Sequence, residues 1–359
     1  MAERLTFAFP GDLQTLTGGY LYDRRVIESM QSSLGWHVTP LPLDDRFPWV
    51  DAACLQTEAQ RLASVSASEM LVIDGLALGA MGKAAAQIRL QRPFVALVHH
   101  PLALESGLTA GQAETLRASE RAALQFALGV VVTSETTRQT LIDEYGVSPS
   151  DVIAVEPGVQ PAWNQLPERR LSRSDSNPIK ILSVGSVVPR KGYDLLIAAL
   201  GELSDLSWHL TIVGDKDRSS HTTAALVAQI QAQGLSERVT LAGTLPHQEL
   251  DYQYQTADIF ALTSRYEGYG MAYTEAMTWG LPIVATAGGA IRKTLGQSGA
   301  FLVEHNDQKA LVTALKDMLV SPQVRHGMAQ QAFAYAKQLG TWEDTAKRFA
   351  DVLKQMHTG

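Results

Sequence analysis

The chain reads as an α/β protein of two Rossmann-like, doubly wound domains with a cleft between them. Three observations predict this. Short apolar runs alternate with longer helix-like stretches in both halves of the 359 residues. Gly and Pro punctuate the ends of those runs, and helices between apolar strands imply parallel sheets. A polar segment rich in Ser and Arg, LPERRLSRSDSNP at 166–178, interrupts the pattern near the middle; such a segment reads as a linker. Length agrees, since domains run to roughly 100–200 residues.

Taken in order, first-half strands are expected at 5–9, 70–74, 94–99 and 129–133. Residues 111–128, GQAETLRASERAALQFAL, have the apolar spacing of an amphipathic helix. Second-half strands are expected at 179–184, 208–213, 238–241, 259–262 and 282–285, with helices at 193–200, 224–233, 247–255 and 273–279. A long helical stretch at 342–356 closes the chain. The expected organisation is an N-terminal domain over 1–165, the linker 166–178, a C-terminal domain over 179–340 and a final segment over 341–359. Ligands of such sheets bind at the carboxyl ends of the strands, so candidate residues are sought in the loops after them.

Composition removes several function classes. Apolar residues are 45% and charged residues 19%, the balance of a folded globular chain rather than a disordered one. The longest apolar runs, at 94–98 and 128–132, fall far short of the ~20 residues that span a bilayer. The start, MAERLTFAFPGD, lacks the basic, apolar and small-residue regions of a secretory signal. The single cysteine, Cys54, excludes an intramolecular disulfide framework and a multi-cysteine metal site. A reducing, cytoplasmic setting is expected. Net charge is −7, and all of the excess lies in the first half. Residues 1–165 hold 11 Lys and Arg against 18 Asp and Glu, whereas residues 166–359 hold 19 of each. This argues against a nucleic-acid partner and against an anionic membrane surface.

Two second-half segments carry chemistry. ILSVGSVVPRKGYDLLIAAL reads as strand, glycine-containing loop and helix, with Arg190 and Lys191 just before the helix. Two cations beside free helix-end N–H groups suit a diphosphate; RKG alone is as often a solvated loop. SRYEGYGMAYTEAMTWGLPIVAT is more specific. It places Glu267 after a strand and Glu275 eight residues later in a helix, with Gly268 and Gly270 between them. Glycines admit close approach of a ligand to the backbone. A carboxylate accepts from vicinal hydroxyls, so Glu275 suits a ribose and Glu267 a sugar. Either glutamate alone is ordinarily solvated surface; the whole string is not.

EGYGMAYTE resembles the E-x7-E motif of the family 4 retaining glycosyltransferases, which have the GT-B fold. VGSVVPRKGYDLL resembles their phosphate-binding loop and HLTIVGD the strand that follows. VTLAGTLPHQELDYQYQTADIFALTS is similar to the stretch that holds the base, and Gly18-Gly19 to the glycine loop of their first domain. The resemblance implies a donor site in which Glu275 holds ribose and Glu267 with Gly268, Tyr269 and Gly270 holds the sugar. Arg190 and Lys191 would neutralise the leaving diphosphate, Gly18 and Gly19 would face the distal phosphate, and Thr244, Leu245 and Pro246 would line the base pocket. It also implies that the last helix crosses back to the first domain. Two departures stand out. Ser186 occupies a position where the family usually has Arg, with Arg190 as the replacement charge. The later Gly288-Gly289 is followed by Ala-Ile-Arg292 rather than by an acid.

In the first half, FVALVHHPLALESGL ends a strand with His99 and His100. The family keeps a histidine there, and His99 matches it. His99, Glu267, Arg190 and Lys191 are therefore the expected catalytic set. Asp12, Tyr20, His99, His100 and Glu105 are acceptor-side candidates. Asp215-Lys216-Asp217 has the form of an Asp-x-Asp metal motif, but its surroundings resemble the metal-free family, so neither a metal nor another cofactor is expected. The expected partners are a UDP-sugar donor, UDP-glucose first, and a small soluble acceptor. HHPLALESGL with VGSVVPRKG most resembles bacterial glucosyltransferases that act on reduced pterins such as tetrahydrobiopterin. A saccharide, polyol or lipid-linked acceptor is the alternative. A nucleotide-sugar epimerase or a phosphorylase on the same fold is a further one. No G-x-G-x-x-G with a later acid opens either half, against a dehydrogenase.

Overall fold

A computed structural model describes residues 3–162 and 177–358. The linker expected at 166–178 therefore lies outside the described residues except for its last two. Contacts divide the chain into one unit of residues 1–158 and 340–359 and a second of residues 159–339. The division falls earlier than a boundary at 165, because Ala162 already packs into the core of the second unit.

The first unit holds a parallel six-stranded sheet in the order β2-β1-β3-β4-β5-β6. Its strands are β1 (Arg4–Pro10), β2 (His37–Leu43), β3 (Met70–Asp74), β4 (Val95–Val98), β5 (Gly129–Val132) and β6 (Val152–Ala154). Both faces are covered, so the inner strands are apolar on both sides. Leu5, Phe7, Val72, Val95, Leu97 and Val131 face one core, and Ala8, Leu71, Ile73, Ala96, Val98, Val130 and Val132 face the other. This is the period-two alternation of a strand. Helices α1 (Gly18–Leu34), α2 (Ala52–Ala63), α3 (Gly75–Met81), α4 (Ala85–Gln91), α5 (Ala110–Leu124) and α6 (Glu135–Tyr145) connect the strands.

The second unit repeats the plan with the order β12-β11-β10-β7-β8-β9, also parallel. Its strands are β7 (Ile179–Val184), β8 (Trp208–Val213), β9 (Val239–Gly243), β10 (Ile259–Leu262), β11 (Ile283–Ala287) and β12 (Phe301–Glu304). Between and after them run α7 (Tyr193–Gly201), α8 (Ser220–Ala232), α9 (His247–Thr256), α10 (Met271–Thr278), α11 (Ile291–Leu295), α12 (Gln308–Val320) and α13 (Pro322–Ala336). Two such parallel sheets with covering helices are the GT-B architecture.

The last helix, α14 (Trp342–Thr358), belongs to the first unit. Ala346, Phe349, Ala350 and Leu353 recur at the helical spacing and are buried against Phe7, Tyr22, Val26 and Met30. Thr345 adds a hydrogen bond to the Glu156 carbonyl at 2.9 Å. The Phe349 ring stacks on Phe7 with centroids 6.4 Å apart. Removing a fully buried phenyl ring costs about 3–5 kcal/mol. Phe349→Ala should therefore destabilise the first unit by about that amount in urea, with little change in the slope of the transition. A change under about 1 kcal/mol would show that α14 is dispensable to it.

Candidate active site

The second unit builds its site at the carboxyl ends of β7, β10 and β11. The loop after β7 runs into a single 3-10 turn, Pro189–Lys191, and Gly192 then starts α7. Arg190 and Lys191 are thus carried by a tight turn. The loop after β10 brings Glu267 to them. Lys191 Nζ donates to Glu267 Oε1 at 2.6 Å and Arg190 Nη1 donates to Oε2 at 3.0 Å. Ser264 Oγ donates to Oε1 at 2.6 Å. Glu267 is only 6% exposed. Burial by itself pushes a carboxyl up, but the Lys191 and Arg190 charges outweigh it and hold Glu267 down at about 2.

Backbone clamps keep the three together. Arg265 N donates to the Arg190 carbonyl at 2.7 Å. The Arg265 guanidinium forks onto Asp194 at 2.8 and 2.6 Å and reaches the Pro189 carbonyl at 2.6 Å. On the other side, residues 267 and 289 form a parallel bridge, and Ala290 N donates to the Glu267 carbonyl at 2.9 Å. Gly289 has φ +60°, and a Cβ there would collide with that carbonyl. The Gly288-Gly289 pair therefore serves to seat the Glu267 backbone, which does not require an acid after it.

Glu275 lies on α10, where Tyr254 of α9 donates to its Oε2 at 2.8 Å. Tyr254 is fully buried, and burial with the Glu275 charge raises its phenol well above the ordinary value. Gly268 and Gly270 lie between Glu267 and α10, whereas Tyr269 is buried and its carbonyl accepts from Thr294 Oγ1 at 2.5 Å. Ser186 is half-buried in the β7 loop, and its carbonyl accepts from Val188 N at 2.9 Å. Thr244, Leu245 and Pro246 join β9 to α9, with Thr244 and Pro246 exposed. Asp215 Oδ1 accepts from Asp217 N and Arg218 N at 2.8 and 3.1 Å, so that carboxylate shapes its own loop.

In the first unit, Gly18 and Gly19 open α1 behind the cap Thr17, whose hydroxyl accepts from Tyr20 N at 3.3 Å. A Cβ at position 19 would lie 3.1 Å from the His99 ring, so glycine lets the ring press on the helix end. His99 Nε2 lies 3.1 Å from Asp23 Oδ1 and 3.2 Å from Asp74 Oδ2. Among the described residues, these three are the one His/Cys/Asp/Glu group whose donor atoms all lie within 4.8 Å of one another. Their contacts are those of an ion-paired histidine, with one ring nitrogen at hydrogen-bond distance from both oxygens. His100 Nε2 lies 3.2 Å from Glu105 Oε2. Tyr20 donates to the Pro10 carbonyl at 2.6 Å, and the exposed Asp12 accepts from Gln14 N at 2.8 Å. Behind the His100–Glu105 loop, Glu120 accepts from Leu102 N at 2.9 Å. Burial pushes the Glu120 carboxyl up to about 8, partly offset by that amide.

Sequence reasoning missed Asp23, Asp74, Glu120, Tyr254, Ser264 and Arg265. Asp74 carried a signal, an acid closing the apolar strand MLVID.

The Glu267 shift sets a pH dependence. Its folded value lies below the ordinary 4.5, so its contribution is full above that pH and is lost as pH falls toward about 2. Glu267→Gln should melt below the wild type at neutral pH, because two cations lose their partner. The difference should shrink as pH drops from 4.5 toward 2 in calorimetric scans; a gap that stays constant would contradict the ion-pair account.

Similarity to known proteins follows the same two-part plan. The model described as Glycosyltransferase Family 4 matches residues 70–163, and that described as Glycosyl transferases group 1 matches residues 165–335. A D-inositol 3-phosphate glycosyltransferase of Kineococcus radiotolerans is 28% identical over 271 residues, 70% of this chain and 60% of that protein. The mannosylfructose-phosphate synthase of Agrobacterium fabrum is 27% identical over 236 residues, 61% of this chain and 51% of that one. The match thus spans little more than half the length of these relatives. The structure of a sucrose-phosphate synthase from Thermosynechococcus elongatus has the same fold, with a TM-score of 0.80 over 99% of this chain and all of that one, at 20% identity. Both family models match in sequence order and the fold agrees, so in both halves the chain is similar to the group 1, family 4 glycosyltransferases.

Proposed function

We propose that the protein is a retaining glycosyltransferase that moves a hexose from a nucleoside diphosphate sugar to a hydroxyl of a small phosphorylated polyol or saccharide. One observation carries the donor half of this reading. Arg190 and Lys191 sit on one turn before α7 and surround a single carboxylate, so the cluster holds one positive charge in excess. An oriented cation pair at a helix start suits a diphosphate, and it would stabilise the charge that grows as the diphosphate leaves. Arg190 supplies the charge that Ser186 lacks.

Glu267 is a poor nucleophile in this setting. Lys191 and Ser264 bond one of its oxygens and Arg190 the other. A depressed, saturated carboxylate suits hydroxyl recognition rather than attack on carbon. The reading that follows is substitution on the face from which the leaving group departs. The acceptor oxygen bonds to the anomeric carbon as the bond to the diphosphate breaks, and the acceptor proton passes to the departing phosphate oxygen. Glu267 would orient the sugar hydroxyls and Glu275, braced by Tyr254, the ribose. No metal or cofactor is needed for these steps.

The acceptor rests on the relatives. The names of two of them refer to an inositol phosphate and to a mannosylfructose phosphate, and the solved structure is of a sucrose-phosphate synthase. These favour a phosphorylated, hydroxyl-rich acceptor over the reduced pterin. The pterin reading rests on the HHPLALESGL and VGSVVPRKG segments alone. Among the described residues no helix is long and apolar enough to cross a membrane.

The test is nucleoside diphosphate release with UDP-glucose and other nucleotide hexoses, each with inositol 3-phosphate, a hexose phosphate or tetrahydrobiopterin. Release that needs a phosphorylated polyol or sugar, with the donor's anomeric configuration kept in the product by NMR, is the expected result. An inverted product would overturn the mechanism, and release with the pterin alone would overturn the acceptor class. Glu275→Gln should raise the donor KM with a smaller change in kcat, lowering kcat/KM about 10- to 100-fold, because ribose binding serves ground and transition states alike.

A further inference from the structure

His99 is walled in by charge. Nε2 faces Asp23 Oδ1 at 3.1 Å and Asp74 Oδ2 at 3.2 Å. Both carboxylates are buried, Asp23 completely, whereas the ring keeps 19% of its side-chain surface exposed. Asp74 is fixed from its other side, where Oδ1 caps α3 by accepting from Leu76 N at 2.7 Å. Among the described residues Asp23 Oδ2 is buried without a hydrogen-bond partner, and Oδ1 lies at hydrogen-bond distance from His99. Tyr22 packs edge-on to the ring, with centroids 5.4 Å apart, and Gly19 closes on Cδ2. The His99 carbonyl accepts from Thr133 Oγ1 at 3.0 Å. The ring is held on every side but one.

This geometry settles the proton on Nε2. An unprotonated Nε2 would set a lone pair against two buried carboxylate oxygens. Protonating Nε2 alone leaves a neutral ring between two buried negative charges, an arrangement that favours a second proton. We infer that Asp23 and Asp74 are positioning residues that hold His99 as an imidazolium, so that its Nδ1 presents a charged N–H donor to the substrate rather than a basic lone pair. His99 then bonds an electronegative substrate atom and takes no proton from the acceptor hydroxyl.

The other groups around it agree. Burial alone pushes an imidazole down, but the charges and hydrogen bonds of Asp23 and Asp74 outweigh it and hold His99 up at about 10. Burial, and to a smaller degree Asp74, raise Asp23, while His99 and Arg24 pull it down. Arg24 is the other cation whose charge acts on Asp23, and its guanidinium is held by the Leu13 and Thr15 carbonyls. The next residue, His100, is paired with Glu105.

The protonation state can be tested apart from the reaction; only the role in transfer rests on the glycosyltransferase reading. Protein labelled with 15N-histidine is followed by long-range 1H–15N correlation from pH 6 to 9, with His99 assigned by loss of its signals in His99→Gln. Both ring nitrogens should report the protonated form throughout in the wild type. Asp74→Asn, which keeps a capping oxygen for Leu76, should lower the midpoint by about 1–3 pH units, the effect expected for one nearby opposite charge. With the active donor, Asp74→Asn and His99→Gln should each lower kcat more than KM, and the double variant should be no worse than His99→Gln alone. Asp74→Asn should also acquire a loss of activity on the alkaline side that the wild type lacks. A neutral His99 ring in the wild type at pH 7.5, or a titration unmoved by Asp74→Asn, would overturn the inference. The first of these needs only the assigning variant, His99→Gln, to fold. If no nucleotide sugar is turned over, the functional reading fails while the ring titration still decides the imidazolium.

Discussion

The second unit depends on one buried charge. Glu267 is placed where a carboxylate is costly, and it is tolerated there because Lys191, Arg190 and Ser264 all bond it. That requirement explains the shape of three loops. The β7 loop must tighten into a turn so that two consecutive cations face the same way. The β10 loop must place Ser264 and Glu267 on one side and send Arg265 to the other, where it grips Asp194 and the Pro189 carbonyl. The β11 loop must run so close to Glu267 that only glycine fits at 289. Remove the ion pair, and none of these geometries has a reason.

The first unit solves a related problem with the opposite sign. There two carboxylates converge on one histidine, leaving one negative charge in excess against the positive excess of the Arg190–Lys191–Glu267 cluster. Neither cluster comes from one stretch of chain. Each is assembled by parallel strands that deliver their C-terminal loops to the same sheet edge, the general reason doubly wound sheets carry sites there. The hydroxyls beneath are structural. Thr263 and Thr286 donate to the Gly192 and Ser264 carbonyls at 2.6 and 2.8 Å, satisfying backbone that the loops leave unpaired.

What could be read from the sequence follows burial. The inner strands β1, β3, β4, β5, β7, β8, β10 and β11 are rich in buried apolar residues, on both faces throughout in β4, β5 and β10, and stand out as runs. The strands that went unread, β2, β6 and β12, all lie at a sheet edge. Edge strands are covered less fully, and β2 (HVTPLPL) even carries two prolines, which the interior of a sheet does not accept. The site divided in the same way. RKG and EGYGMAYTE are legible because local glycines and charges cluster within a few residues. The partners of His99 were not, since Asp23 looks like the solvated face of a helix, in LYDRR, and Asp74 like a strand end. Only the pairing of β3 with β4 and the close approach of α1 bring them to the ring. Tyr254 and Arg265 were hidden likewise, their partners Glu275 and Asp194 being distant in the chain.

The proposed donor site makes the Arg190–Lys191 turn an anion cradle with a partner built in. Calorimetric titration of the purified protein and of Lys191→Ala with a panel of nucleoside diphosphates tests it most directly. The prediction is one-to-one binding of one nucleoside diphosphate, weakened about 10- to 100-fold in the variant, the worth of a charge-assisted hydrogen bond. Binding indifferent to Lys191, or no binding of any nucleoside diphosphate, would contradict it.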